Sequence, residues 1–388
     1  MFIERNLSLV KAKGFVGMIT MQSWMFLSSF ESLRQKLLDK KQLVNMAHLG
    51  GNAFDTIGGQ VVQTTAFILK NKFDPEYIGD FIRLVDYGSE KEKNCHLLES
   101  IEQNLYFRAS PMVFKKIPGT PIVYWVKKSY FDIFDAGDLL SKFATPAQGM
   151  STGNVKKFIK LWHEVNIADT NLFLIKNNNW VKYNKGGTYR KWYGNREYIV
   201  HWNYDGHLLK NANATLRNQS FYFLPFIAWT KISGYFTSFR IFEGDFLFDG
   251  AGGSLFINED KLDNYFALCL LNSNIVKSIL KFLSPTLNYN ESHIGNIPII
   301  LSEIKIDSLV KNSKNCIRIS KLDWNNYETS WDFSGSPLIS YDNQLKNEVL
   351  SEKYRTLRKH WQSIIEKIKF LEEKNNEILI DIYALNNV

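Results

Sequence analysis

Cysteine is scarce: Cys95, Cys269 and Cys316 stand far apart with no CxxC pair. That spacing argues against both a disulfide framework and a zinc knuckle, and leaves buried small hydrophobes as the simplest role. The seven histidines form no HxxxH or HxH pair, so no metal is expected. No uncharged run reaches the roughly 18 to 20 residues of a membrane-crossing helix. The opening MFIERNLSLVKAKG mixes acidic and basic residues before any apolar stretch, unlike a secretory leader. A cytoplasmic protein without a membrane partner is therefore expected. The richest glycine cluster, DGAGGS at 249 to 254, has Leu255 where a GxGxxG cofactor turn needs its third glycine, so a turn between strands is expected there. Nor are any two of the nine prolines adjacent.

What the chain does contain is localised charge. Its 388 residues are too many for one ordinary core and predict two or three domains, with 45% apolar and 22% charged content suited to a folded globular protein. The net charge of +8 is concentrated in residues 151 to 240, where 13 Lys and Arg face 4 Asp and Glu and 19 of 90 residues are aromatic. Cations neutralise phosphates and rings stack on bases, so this mixture points to nucleic acid. A solvated basic face over an aromatic core gives the same composition. The mixture is densest in KGGTYRKWYGNREYIVHW, residues 185 to 202.

Periodicity divides the chain. RNLSLVKAKG predicts a helix ending at Gly14, GFVGMIT a strand, SSFESLRQKLLDK a helix, LVNMAHLG a strand and GGQVVQTTAFILKN another. That order suits the downstream half of a doubly wound α/β sheet. Residues 72 to 145 read as a connector with a helix over 95–104 and a β-rich run in IPGTPIVYWV. From 146 to 300, short β-rich runs alternate with glycine turns, interrupted by helices at 154–165 and 258–283. Leu350, Tyr354, Leu357, Trp361, Ile364, Ile368 and Leu371 form a heptad seam, predicting a long helix over 343–376 that packs within its own chain.

The order of these blocks resembles a known family. GMITMQSWMFLSSFESLRQKLL followed by QVVQTTAFIL resembles the downstream half of the catalytic domain of adenine-specific DNA methyltransferases with a fused recognition domain. TPAQGMSTGNVKKFIKLWHEV, KYNKGGTYRKWYGN and ISKLDWNNYETSWDFSGSPL resemble the methyltransferase of the BREX phage-defence system, the PglX family. The resemblance runs through nearly the whole chain. It implies a C-terminal portion of a Rossmann-like enzyme that methylates adenine from S-adenosylmethionine after extruding the base. The glycine-rich cofactor motif and the Pro-Pro-aromatic loop of that family find no match here. This chain is accordingly expected to hold no catalytic residue, to bind no S-adenosylmethionine alone, and to need an N-terminal methyltransferase half or other defence-system proteins. Expected boundaries are 1–72 for the α/β remnant, 73–145 for the connector, 146–300 for target recognition and 301–388 for a helical spacer.

On this reading double-stranded DNA is met by two loops. Gly186 and Gly187 would let backbone approach the duplex, Arg190 and Arg196 would fork onto guanine or phosphate, and Lys185 and Lys191 would pair with phosphates. Trp192 and Tyr193 complete this loop, or serve as core beneath it. In QGMSTGN, Ser151, Thr152 and Asn154 would bind phosphate at a helix N-terminus reinforced by Lys156 and Lys157. Phe54, ahead of Gly58 and Gly59, would line the target-base pocket, as the resemblance implies. The competing reading is a non-catalytic DNA-specificity subunit of a restriction-modification complex.

Overall fold

A computed structural model describes the chain apart from residues 1, 57–61, 171, 173–178, 235, 286–287, 303–304, 341–348 and 387–388. Two compact units emerge, centred on Met1–Ala136 and Gly137–Asn387. The first contains α1 (Phe2–Leu9), β1 (Phe15–Met21), α2 (Glu31–Lys40), β2 (Gln42–Gly50), β3 (Thr64–Lys70), β4 (Gly79–Arg83), α3 (Glu90–Glu102), β5 (Phe107–Ala109), α4 (Pro111–Phe114) and α5 (Lys128–Ala136). The predicted helix–strand–helix–strand–strand order is present, although residues 58–61 of the last run lie outside the described residues. The sheet runs β1-β3-β2-β4-β5, with β3 antiparallel to both its neighbours, β2 parallel to β4, and β4 antiparallel to β5. The segment read as a connector thus supplies two strands of this sheet.

Local chemistry explains the departures. α1 stops at Leu9 rather than Gly14, because Lys13 adopts a left-handed φ of 65° and the Gly14 N–H closes a tight turn onto the Lys11 carbonyl. α3 starts at Glu90, five residues early, where Ser89 accepts the Glu92 N–H as its cap. IPGTPIVYWV forms no strand: Pro118 and Pro121 lack ladder donors, and the run instead buries Ile117, Ile122, Val123 and Tyr124. It is tied to α2 by Arg34, which donates to the carbonyls of Gly119, Trp24 and Leu27 at 2.6–2.9 Å. Burial draws the Arg34 pKa down to about 10, and the guanidinium remains a cation that closes this turn region.

The second unit holds β6 (Asp138–Leu139), β7 (Ala144–Gln148), α6 (Val155–Phe158), β8 (Ile159–Leu161), β9 (Trp180–Asn184), β10 (Tyr198–His201), α7 (Asn203–Asn211), β11 (Phe226–Thr230), β12 (Phe239–Phe242), β13 (Phe246–Phe248), β14 (Gly252–Ile257), α8 (Asn264–Leu271), α9 (Asn274–Leu283), α10 (Glu291–Gly295), β15 (Pro298–Ile299), α11 (Ile306–Trp324), α12 (Pro337–Ser340) and α13 (Leu350–Ile382). Two four-stranded sheets, β13-β9-β10-β8 and β12-β11-β14-β7, meet through Phe226, Phe242, Phe246, Phe248 and Phe256. Of these five rings only Phe226 belongs to the aromatic-rich 151–240 segment. A second cluster on β8, β9 and β10 joins Ile159, Val181, Tyr183 and Val200 to Trp202 and Leu209.

Three predicted helices change. NVKKFIKLWHEV yields only the single turn α6 before Ile159–Leu161 pairs with β10 as an edge strand. The 258–283 run breaks into α8 and α9 at Asn272–Ser273, where Ser273 caps α9 and the Asn272 side chain exchanges hydrogen bonds with the Phe239 backbone. The C-terminal helix is α13, which runs on to Ile382, and residues 343–348 of the predicted span lie outside the described residues. Its buried seam passes through Leu357, Leu371, Asn375 and Leu379 while Leu350 and Tyr354 are exposed. Packing on α11 within the chain is as predicted, with Asn312 donating to Asn375 at 2.9 Å. Among the described residues no single helix is long and apolar enough to cross a membrane. Cys269 and Cys316 are buried, whereas Cys95 on α3 is exposed.

Candidate nucleic-acid interface

The hairpin from β9 to β10 carries the KGGTYRKWYGNR loop, and its course is set by short polar residues. Asn184 accepts the Gly186 N–H at 3.2 Å, bending the chain as it leaves β9 with φ of +87° at Gly186. Thr230 donates to the Gly187 carbonyl at 2.9 Å and Asn195 to the Thr188 carbonyl at 2.9 Å. A Cβ on Gly187 would lie 2.6 Å from the Asn195 side chain, so glycine here answers a contact inside the loop. The chain then runs beside β12: Arg190 N–H donates to Ser238, Trp192 N–H to the Phe239 carbonyl at 2.8 Å, and Ile241 N–H to the Trp192 carbonyl at 3.1 Å.

This course divides the predicted contacts. Gly187, Thr188 and Tyr189 form an exposed tip, Tyr189 being 58% accessible, and Lys185 lies 4.7 Å over the Tyr198 ring beside it. Gly186 is buried against Gly252. Trp192, Tyr193 and Arg196 are buried, so the two rings take the core role that was the alternative to contact with DNA. Arg196 lies 3.8 Å from the Tyr193 ring, donates to the Ile241 carbonyl at 2.6 Å and pairs with Glu243. Burial raises the Glu243 pKa, but Arg196 outweighs it and holds the carboxyl below its ordinary range. Burial pushes Tyr193 up to about 12.

Arg190 and Lys191 reach the surface already paired. Arg190 meets Asp323 on α11 at 3.4 Å and lies 4.9 Å over Trp324, while Lys191 meets Glu372 on α13 at 2.8 Å. These acids lie more than 130 residues away in sequence, so nothing local announces them. The more exposed Arg190–Asp323 pair is weak, so a phosphate can compete for Arg190, whereas Lys191 and Glu372 are each only about a quarter exposed.

The QGMSTGN segment lies close to the same turn. Met150 N–H donates to the Phe248 carbonyl at 3.0 Å and Asp249 N–H to the Asn184 carbonyl at 2.9 Å, so the two candidate loops flank Phe248–Gly252. Ser151 exchanges backbone bonds with Thr215, Thr152 is buried, and Asn154 accepts the Lys157 N–H at 3.1 Å. α6 is a single turn, too short for a useful helix dipole, so the predicted phosphate site at a helix N-terminus is not formed. Lys156 and Lys157 are exposed and, among the described residues, make no ion pair. They remain available as phosphate partners.

Phe54 is half-buried in the other unit, just past β2, and Gly58 and Gly59 lie outside the described residues. Sequence reasoning missed a polar group at the carboxyl ends of β1 and β2. There His48 shares hydrogen bonds with Gln22 at 2.7 Å and Tyr124 at 3.2 Å, and burial, aided by Arg83 and Lys93, drives its pKa to about 3. Its one signal was a histidine in the largely apolar run that forms β2. Among the described residues no cluster of His, Cys, Asp or Glu could hold a metal. The glycine cluster offers no cofactor turn either: Gly252 and Gly253 open β14, and a Cβ on Gly253 would sit 2.0 Å from the Trp229 indole.

The architecture is one found in restriction-modification enzymes. With 97% of the chain aligned, it matches 48% of the type IIL restriction-modification enzyme MmeI, solved in complex with DNA, at a TM-score of 0.54 and 10% identity. The family model of the Eco57I restriction-modification methylases matches residues 1–54. In sequence the chain is similar to proteins named as adenine-specific methyltransferases. The chain is homologous over its length to the adenine-specific methyltransferase PglX of Lacticaseibacillus casei (strain Zhang), 35% identical over 100% of the chain, and to the adenine-specific methyltransferase BrxX of Escherichia coli O9:H4 (strain HS), 37% identical over 98%. It spans about one third of the length of these relatives, 33% and 32% respectively.

Proposed function

We propose that this chain supplies DNA target recognition to an adenine-specific (N6) DNA methyltransferase of a phage-defence system. The homology at 35–37% identity over the whole chain carries the reading. Geometry supports it: the Gly187–Tyr189 tip presents one exposed ring, and Lys185, Lys156 and Lys157, which make no ion pair among the described residues, present cations on the two neighbouring loops. Bases stack on exposed rings and phosphates take the lysines. Arg190 and Lys191 join on exchanging their carboxylates for phosphate. On the same reading Phe54 would line the target-base pocket.

The remaining chemistry belongs to a partner portion. In the complete enzyme S-adenosylmethionine donates the methyl group; alone, this chain binds none and does not methylate, and it acts in the cytoplasm with an N-terminal methyltransferase half or other defence-system proteins. The parallel strands β1 and β2 on either side of antiparallel β3 suit the downstream half of a Rossmann-like sheet. β1 is an edge strand with Phe15, Ile19 and Met21 exposed, which suits continuation by further strands. A non-catalytic specificity subunit would have no use for this five-stranded sheet. The test is selection from a randomised duplex library: an enriched duplex should stay bound against about a hundredfold excess of random DNA at moderate salt. Failure to enrich any sequence refutes the reading.

A further inference from the structure

Trp192 occupies a backbone conformation that its side chain disfavours, and one of the bonds that hold it there comes from α13. Its φ is 69°, in the left-handed region where a bulky aromatic residue is a genuine outlier. Such strain persists only where the surroundings over-determine it. Three bonds do so here. Two are backbone bonds to Phe239 and Ile241 on the edge of β12. The third runs from the buried indole N–H to a carboxylate oxygen of Glu372 at 2.7 Å, while the other oxygen of Glu372 receives Lys191 Nζ at 2.8 Å. One carboxylate thus ties two consecutive loop residues to a helix about 180 positions later. Arg190, the residue before them, is held by Asp323 on α11, and a Cβ on Gly194, two residues beyond Trp192, would lie 3.1 Å from the Trp324 ring. The exposed tip at Thr188–Tyr189 departs from this fastened base.

We propose that Glu372 is a positioning residue for DNA recognition: through Trp192 and Lys191 the C-terminal helix sets the orientation in which the Thr188–Tyr189 tip meets the duplex. The proposal rests on the recognition reading above. Glu372 does not touch DNA itself. Its carboxylate supplies the anchor that a loop of three glycines and a strained tryptophan lacks. Lys191 is thereby assigned two states, one on Glu372 and one on phosphate, of which the first fixes the unbound loop.

The test uses the full chain with Glu372→Ala and Glu372→Gln, read by amide hydrogen exchange and by binding of the enriched and random duplexes. Glu372→Ala should speed exchange of amides 188–193 about tenfold while β11 and β14 keep their protection, since one hydrogen-bonded anchor is lost. Its preference for the enriched over the random duplex should fall about tenfold with affinity for random DNA unchanged. Glu372→Gln keeps the acceptor for the Trp192 indole and should retain most of both. Unchanged loop exchange in Glu372→Ala overturns the anchor. Faster exchange with undiminished preference makes Glu372 a structural tie only and overturns its role in recognition. A wild-type chain with no preference at all refutes the recognition reading, and this role with it. Should Glu372→Ala fail to fold, Trp192→Phe, which deletes the indole donor while keeping an aromatic ring, must give the same two changes or the proposal falls.

Discussion

Substituting Arg196 separates two accounts of the basic loop. A residue contacting bases would cost about 1–3 kcal/mol of DNA affinity and little stability. The structure assigns the opposite. Arg196→Ala removes a charged hydrogen bond to the Ile241 carbonyl, a ring contact at 3.8 Å with Tyr193 and a large buried side chain. The Glu243 partner is discounted, since its side chain is 55% exposed and water replaces the lost cation. The carbonyl bond, the cation–π contact and the cavity together amount to about 3–5 kcal/mol of folding stability. Arg196→Met, which refills most of the volume without the charge, should recover about half of that loss. Urea unfolding of the three proteins, followed by far-UV circular dichroism, measures it. DNA titration at a denaturant-free temperature where each is folded should then give affinities within about twofold. An Arg196→Ala protein that unfolds like wild type yet loses tenfold in binding would refute the buried assignment.

Tyr189→Ala should weaken DNA binding by about 1–3 kcal/mol through lost stacking, with an unchanged unfolding midpoint. Lys185→Ala should lower the slope of log affinity against log salt by about one, measured by fluorescence anisotropy across a salt series. His48 ties the first unit to pH. Its folded pKa of about 3 lies below the ordinary 6.5, so below pH 6.5 the unfolded chain takes a proton that the folded chain refuses. Stability should therefore fall on acidification by up to about 1.4 kcal/mol per pH unit between those values, and His48→Gln should flatten that limb of a urea-midpoint profile. Gly253→Ala places a methyl into the Trp229 indole and should cost at least about 1–3 kcal/mol in thermal unfolding.

Sequence legibility followed interaction range. The α/β order of the first unit could be read because Leu33, Leu37 and Leu38 repeat at the helical period and β1 to β3 carry apolar runs. The self-packing of the last helix could be read from its heptads, although Leu350 and Tyr354 lie beyond its partner. The loop misled because charge and aromaticity do not distinguish inside from outside. Trp192, Tyr193 and Arg196 carry the composition of a nucleic-acid surface and form instead the loop's interior, since Glu243, Ile241 and Phe242 close over them. α6 failed for a different reason: Ile159 and Leu161 found strand partners on β10, and pairing overrode helical periodicity.

The thiols give the molecule a practical asymmetry. Burial pushes Cys316 up to about 12 and Cys269 higher, so neither offers a thiolate to an alkylating probe near neutrality. Cys95 alone among the three is open to solvent. A maleimide dye should therefore settle on α3 without any engineering, giving a single reporter on the front unit with which its encounter with a methyltransferase half could be watched in real time.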